Sequence, residues 1–409
     1  MRRSIFTVVA LLMLASALLS ACAPAATATP AIQTVVVTSA PMQQTVVVTS
    51  APMQQTVVVT AVPPTQAPTA VPGSVKINGD GATFPLPIYQ AWTYAYQYVD
   101  SSVAINYQGV GSGQGKKDVI ANTVDFAGSD ALVTDAEYTS GKDLQMLPAV
   151  AGAVVVIYNV TGLAAADPRI ILDRQTLVDI YNAKVKTWND PEILALNPQL
   201  KDKLPAKPIT VVHRSDGSGT TEIFTRALTS FSADWKAGGA QTVEWPVDKA
   251  GNGIGGKGNP GVAAAVQTTP NSLGYVELDY AVPNGILFTQ MINKAGTTVT
   301  AGGDTLASAM ADFTTTFTDK LTNIIVDGPG KNTWPISGYT YYVIHMTSMT
   351  DCTKAQKLLQ YFTWTLTDPT AAKQANQLGY ATLPADVRTQ VLNKLAQVTC
   401  NGQPVLTNK

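Results

Sequence analysis

Strands that alternate with short helices from Lys76 onward predict an α/β fold. Two further observations bound its size: 409 residues leave room for two domains, and 45% hydrophobic residues are enough to fill their cores. Along the chain, SVKIN and VAINYQ read as strands, with PIYQAWTYAYQYV between them as a helix. KKDVIANT reads as a short helix, VDFAGSD as a strand running into a loop, and AGAVVVIYNV as a buried strand. TLVDIYN, TEIFTRALTSF and GVAAAVQTT read as helices, ITVVHR and LGYVEL as strands. The C-terminal part adds the strand YTYYVIHM and helices around KAQKLLQYFTWTLT and DVRTQVLNKLAQV.

The N-terminus stands apart from this pattern. Arg2 and Arg3 precede the apolar run IFTVVALLMLASALL, which stops at Leu19-Ser20-Ala21-Cys22. A basic start, a short apolar core and small residues before a cut describe a secretory signal peptide, and the run is short for a membrane span. Leu-Ser-Ala-Cys resembles the lipobox of bacterial lipoproteins, which implies loss of residues 1–21 and acylation of Cys22. Residues 23–75 carry no charged side chain and repeat TVVVTSAPMQQ from Thr34 and again from Thr45, with a degraded copy from Thr56. The TVVVT cores resemble strands, but prolines at 41, 52, 63, 64, 68 and 72 interrupt them, so 22–75 reads as a Thr/Pro/Ala-rich tether to the membrane, with a small β-repeat structure as the alternative.

The chain holds 27 bases against 28 acids, and the signal peptide removes two bases and no acid. This balance does not point to nucleic acid, whose binders usually show a basic patch or stripe. In an exported chain the two remaining cysteines, Cys352 and Cys400, are candidates for a disulfide. Its two histidines, His213 and His345, lie far apart and offer no metal-ligand spacing, and no cofactor is expected.

Two glycine-rich stretches invite a nucleotide reading. GVGSGQG at 109–115 fails the Gly-x-Gly-x-x-Gly pattern in every register. GNGIGGKG at 251–258 contains it as Gly253, Gly255 and Gly258, but without a recognisable strand before it. As a phosphate loop it places Gly258 where Ser or Thr should reach magnesium. HRSDGSGTT at 213–221 lacks the glycines two residues to either side of Ser218 that a nucleophile elbow requires.

HRSDGSGTT suits an anion better. It joins a strand to a helix, so Ser218, Gly219 and Thr220 fall where backbone N–H groups lack helical partners and the dipole favours negative charge. Arg214 offers a bidentate guanidinium and Asp216 can hold it in place. An ordinary capped Asp-Gly turn explains the segment equally well by itself. The same design recurs around Thr83 and Phe84 in GDGATFPLPIYQAW and around Ser112 in GVGSGQGKKDVI, and three such helix starts could converge on one oxyanion.

The segments GATFPLPIY, INYQGVGSGQGKKDVIANTVDFAGSD, HRSDGSGTT, GGKGNPGVAAAVQTTPNSLGYVE, WPISGYTYYVIH and KQANQLGYATLP carry a family resemblance. In this order they resemble the substrate-binding protein of bacterial phosphate ABC transporters, from Val75 to the C-terminal region. The resemblance implies a two-lobe, type II-like periplasmic-binding-protein fold with crossing hinge strands. Residues 76–151 and 335–409 would form the first lobe and 152–334 the second. It implies phosphate ligands at Thr83, Phe84 (through its N–H), Ser112, Asp130, Arg214, Ser218, Gly219 and Thr220, with Asp216 orienting the arginine. Asp80, the order FAGSD and His213 depart from the family's usual residues.

Asp130 carries the expected selectivity. Near neutral pH phosphate keeps a proton that a carboxylate can accept, whereas sulfate has none and would meet unrelieved charge. The resulting expectation is a monomer, lipid-anchored on the extracytoplasmic face, that binds inorganic phosphate without covalent chemistry and delivers it to permease subunits. The alternatives are a serine or phosphoester hydrolase using Ser218, and an envelope or surface interaction protein using the repeats.

Overall fold

The computed structural model describes residues 44–50, 53–59, 73–314 and 317–406. Cys22 and the signal segment lie outside them. Within the repeats the structure forms the small β-structure weighed as the alternative. Gln44–Ser50 and Met53–Val59 are strands paired antiparallel, in register from Gln44 with Val59 to Ser50 with Met53. The prolines at 41, 52 and 63 flank or separate these segments, so each strand of seven residues is free of proline and nothing blocks the pairing.

The body of the protein, from Ala67 to Lys409, is built on one sheet path. Its order is Val103–Gly109, Val75–Gly81, Phe126–Ser129, Ser337–His345, Leu144–Asn159, Ser272–Glu277, Thr210–Arg214 and Gly253–Gly256. Leu144–Asn159 is the pivot. Residues 144–153 pair with Ser337–His345 on one side, and residues 154–159 pair with Ser272–Glu277 on the other. The strand therefore leaves one lobe's sheet and enters the other's between Ala153 and Val154. Trp334 pins this crossing, since its indole N–H donates to the Val154 carbonyl at 2.9 Å. The strand is buried almost from end to end, which explains why AGAVVVIYNV shows no polar alternation.

Each lobe packs its own aromatic core. In the first, the helix Leu86–Tyr96 buries Ile88, Tyr89, Trp92 and Tyr96 at helical spacing. Tyr342 stacks on Phe362 at 3.9 Å in that lobe, and Phe224 on Tyr275 at 4.2 Å in the second.

Sheet order positions the site. Val75–Gly81, Val103–Gly109 and Phe126–Ser129 are parallel neighbours, and Thr210–Arg214 runs parallel to Gly253–Gly256. Residues just beyond the C-terminal ends of these strands are thereby grouped, the place where open α/β sheets hold ligands. Thr83, Ser112, Asp130 and the segment from Arg214 all stand there. Among the described residues, no helix is long and apolar enough to cross a membrane.

Cys352 and Cys400 are disulfide-bonded, tying the start of the helix Cys352–Thr367 to the short strand Thr399–Cys400. Closing a loop across 48 positions restricts the unfolded chain. Replacing both cysteines by serine is expected to lower unfolding free energy by about 2–5 kcal/mol, read from denaturant titrations under oxidising conditions.

Candidate functional site

The first lobe contributes three loops. Gly81 has φ +125°, and a Cβ there would lie 2.2 Å from the Gly128 carbonyl oxygen, so the chain turns into Ala82 and Thr83 only with glycine. Two tyrosines then fix the next carbonyls: Tyr280 Oη donates to Thr83 O at 2.5 Å and Tyr380 Oη to Phe84 O at 2.7 Å. A trans peptide points its N–H opposite its C=O, so holding the Thr83 carbonyl also aims the Phe84 N–H away from Tyr280. Ser112 opens the helix Ser112–Ile120, and its Oγ accepts from Gly219 N at 3.1 Å and Asp130 N at 3.4 Å.

Asp130 is 4% exposed, and its Oδ1 accepts from Thr340 Oγ1 at 2.9 Å. Burial pushes its carboxyl up to about 7, with the Thr340 hydrogen bond and the Arg214 charge pulling the other way. Asp80 is raised as well, by burial and by the adjacent Asp118 carboxylate, so its extra negative charge is partly suppressed.

The second lobe contributes the HRSDGSGTT turn. Arg214 is 4% exposed and gripped in bidentate fashion by Asp216, Nε to Oδ1 at 2.7 Å and Nη2 to Oδ2 at 2.6 Å. Burial opposes ionisation of Asp216, but the Arg214 bonds and charge outweigh it and hold the carboxyl below its usual range. Ser218 caps the helix Gly219–Phe231, its Oγ accepting from Thr221 N at 3.1 Å. The capped-turn reading is therefore correct for Ser218, yet its O–H remains free to donate. A Cβ on Gly219 would lie 2.5 Å from Asp130 Oδ2 and 2.4 Å from Ala131 N, so glycine lets the two lobes meet at this point.

The three helix starts do converge. Ser112 bonds Gly219, while Gly113 N donates to Gly217 O at 3.0 Å. Thr83 is joined to Thr220 through Asn259, whose Nδ2 donates to both hydroxyls at 3.0 Å. Sequence reasoning missed Asn259, Thr340, Tyr280 and Tyr380. Asn259 had a visible signal: it sits at the glycine-rich start of the helix Gly258–Thr268, directly after the stretch that fails as a nucleotide loop. Gly253–Gly256 proves to be a strand, making this a fourth strand-to-helix turn of the same design. Gly258 N donates to Asp216 Oδ1 at 3.1 Å, which ties this turn to HRSDGSGTT.

Neither histidine serves Ser218. His213 uses its two ring nitrogens on Arg214 O at 3.0 Å and Asp248 Oδ1 at 2.7 Å and stacks on Trp245. His345 is engaged by Asp143 and the Val119 carbonyl. Among the described residues, no group of three or more His, Cys, Asp or Glu side chains could hold a metal ion.

Burial lifts the Asp130 carboxyl from about 3.9 when unfolded to about 7 when folded, so the folded chain holds an extra proton between these values. The cost of the buried charge is full above that upper value and disappears as pH falls below the lower one. In phosphate-free buffer, Asp130→Asn is expected to raise the melting temperature more at about pH 8 than at about pH 5. Equal gains would contradict this assignment. Gly219→Ala, which drives a methyl group into Asp130, is expected to cost about 1–3 kcal/mol of stability in denaturant titrations.

Residues 25–369 match the model of the PBP superfamily domain. The phosphate-binding protein PstS of Methanocaldococcus jannaschii is 34% identical over 347 residues, covering 80% of this chain and 87% of that protein. The protein of the same name from Xylella fastidiosa strain 9a5c is 36% identical over 320 residues, covering 78% and 84%. The crystal structure of a phosphate-binding protein from Stenotrophomonas maltophilia superposes with a TM-score of 0.58 at 21% identity, covering 81% of this chain and 96% of that one. By these matches the chain belongs to the PstS family of phosphate-binding proteins within the PBP superfamily.

Proposed function

We propose that the protein binds inorganic phosphate between its lobes and delivers it to the permease subunits of an ABC importer, with no covalent step. The observation that carries this reading is the pairing of opposite elements in one buried site. Arg214, restrained by Asp216, supplies positive charge, while Asp130 across the lobe contact supplies a carboxylate. The ligand set is Thr83, Phe84 N–H, Ser112, Asp130, Arg214, Ser218, Gly219 N–H and Thr220, with residues 76–151 and 335–409 closing on residues 152–334. Many oriented donors would replace the water around phosphate without the site reorganising. Asp130 accepts the proton that phosphate carries and sulfate lacks.

Cys22 would carry the lipid that holds the monomer at the extracytoplasmic membrane face, with residues 22–75 as spacer. A hydrolase reading finds no support in the geometry, because Ser218 has no histidine beside it. Turnover of a chromogenic phosphate ester that Ser218→Ala abolished would reverse that view.

Calorimetric titration of phosphate, arsenate and sulfate into the chain from Lys76 tests the proposal; binding of sulfate in preference to phosphate would refute it. Asp130→Asn is expected to narrow the preference for phosphate over sulfate. In the wild type the same preference is expected to shrink as pH falls below about 7, because a protonated Asp130 can donate to sulfate. A preference that stays constant through that range in both proteins would remove Asp130 from the selectivity mechanism.

A further inference from the structure

A hydroxyl group has one proton to donate and two lone pairs that accept. An anion site built from hydroxyls works only if their protons face the ligand. A freely rotating Thr or Ser can spend its proton on the protein instead. The hydrogen bonds around Thr83 and Thr220 settle this choice.

Thr83 Oγ1 accepts two hydrogen bonds, from Asn259 N and from Asn259 Nδ2, each at 3.0 Å. Both its lone pairs are therefore taken, and its proton is left to donate elsewhere. Thr220 Oγ1 accepts from the same Nδ2 at 3.0 Å and from Arg214 Nη1 at 3.4 Å, with the same consequence. Neither hydroxyl has a protein acceptor among the described residues. One amide group thus faces two hydroxyls from opposite lobes and makes both of them donors.

The orientation of that amide is itself fixed. Asn259 Oδ1 accepts from the backbone N–H of Glu277 at 3.2 Å. A flipped amide would set its NH2 group against this N–H, donor against donor, and would turn its oxygen toward the hydroxyls. Glu277 N belongs to the strand Ser272–Glu277, so the polarity is anchored in the sheet and not in a mobile side chain. Asn259 is fully buried, which excludes competing water.

We infer that Asn259 is a positioning residue for anion recognition. Without being one of the proposed phosphate ligands, it fills the lone pairs of the Thr83 and Thr220 hydroxyls, so that both protons point into the site when the lobes meet. The inference rests on the proposed phosphate site. It also links anion binding to closure, because the Thr83 bonds form only where the first lobe touches the second.

The test is calorimetry of phosphate binding to the wild type, Asn259→Ala, Thr83→Val with Thr220→Val, and the triple variant, alongside their phosphate-free melting temperatures. Asn259→Ala is expected to weaken phosphate binding by about 10- to 100-fold, the scale of a hydrogen bond to a charged group. In the background that lacks both hydroxyls, the same substitution is expected to cost little, because it has nothing left to orient. A purely structural role would give equal losses in both backgrounds, and that result overturns the inference. Asn259→Asp keeps the shape and the acceptor for Glu277 N but removes both donors. It provides a second variant if Asn259→Ala folds poorly. Its binding of phosphate at about pH 8 with wild-type affinity would equally overturn the inference, since a carboxylate would draw both hydroxyl protons toward itself. Failure of the wild type to bind phosphate would instead strike the proposed function, which keeps the two questions separate.

Discussion

A guanidinium buried as deeply as that of Arg214 must be paired, because removing one partner of a buried ion pair costs about 3–5 kcal/mol. Asp216, two residues along the chain, meets the demand with both of its oxygens. Its carboxylate does more than neutralise. Oδ1 also accepts the Gly258 N–H, which brings the GGKGN turn against HRSDGSGTT. On the other side Gly111 fits against Asp216 because a Cβ there would lie 2.4 Å from Oδ2. Through this one carboxylate the arginine, the Asn259 turn and the first-lobe loop at Ser112 share a common support.

The opposite pole is Asp130. Its carboxylate faces the same buried region, and burial dominates its titration despite the Thr340 hydrogen bond and the nearby arginine. A site with the arginine alone would favour any small anion. In the proposed site the carboxylate would sacrifice affinity for fully ionised anions and keep it for those that bring a proton. Structure supports this cost through close lobe contact: glycines at 113, 217 and 219 leave no side chain to hold the backbones apart.

Much of this was legible along the chain. Strand-to-helix turns rich in glycine and hydroxyls marked three of the four loops, because capping and turn chemistry act within a few residues. Arg214 and Asp216 were readable as a pair for the same reason. In the repeats the prolines read as interruptions, yet those at 41, 52 and 63 flank proline-free strands that pair. Asn259 was passed over because it lies just past the stretch tested as a nucleotide loop, and the resemblance carried by GGKGNPGVAAAVQTTPNSLGYVE implied no ligand there. Thr340 gave no local sign at all, being 210 positions from the carboxylate it serves.

By itself the sequence determined which residue types stand at each turn, where the helices at Leu86, Ser112 and Gly219 begin, and the α/β class, all consequences of short-range geometry and hydrophobic period. Tertiary structure alone decided which turns face each other. Leu144–Asn159 changes sheet partners between Ala153 and Val154, and that register sets one lobe's strand ends against the other's. Only then do Thr83 and Thr220 share one amide and Ser112 meet Gly219 across 107 positions. Hydrogen bonds between lobes depend on three-dimensional sheet order, and no local pattern in the chain encodes that order directly.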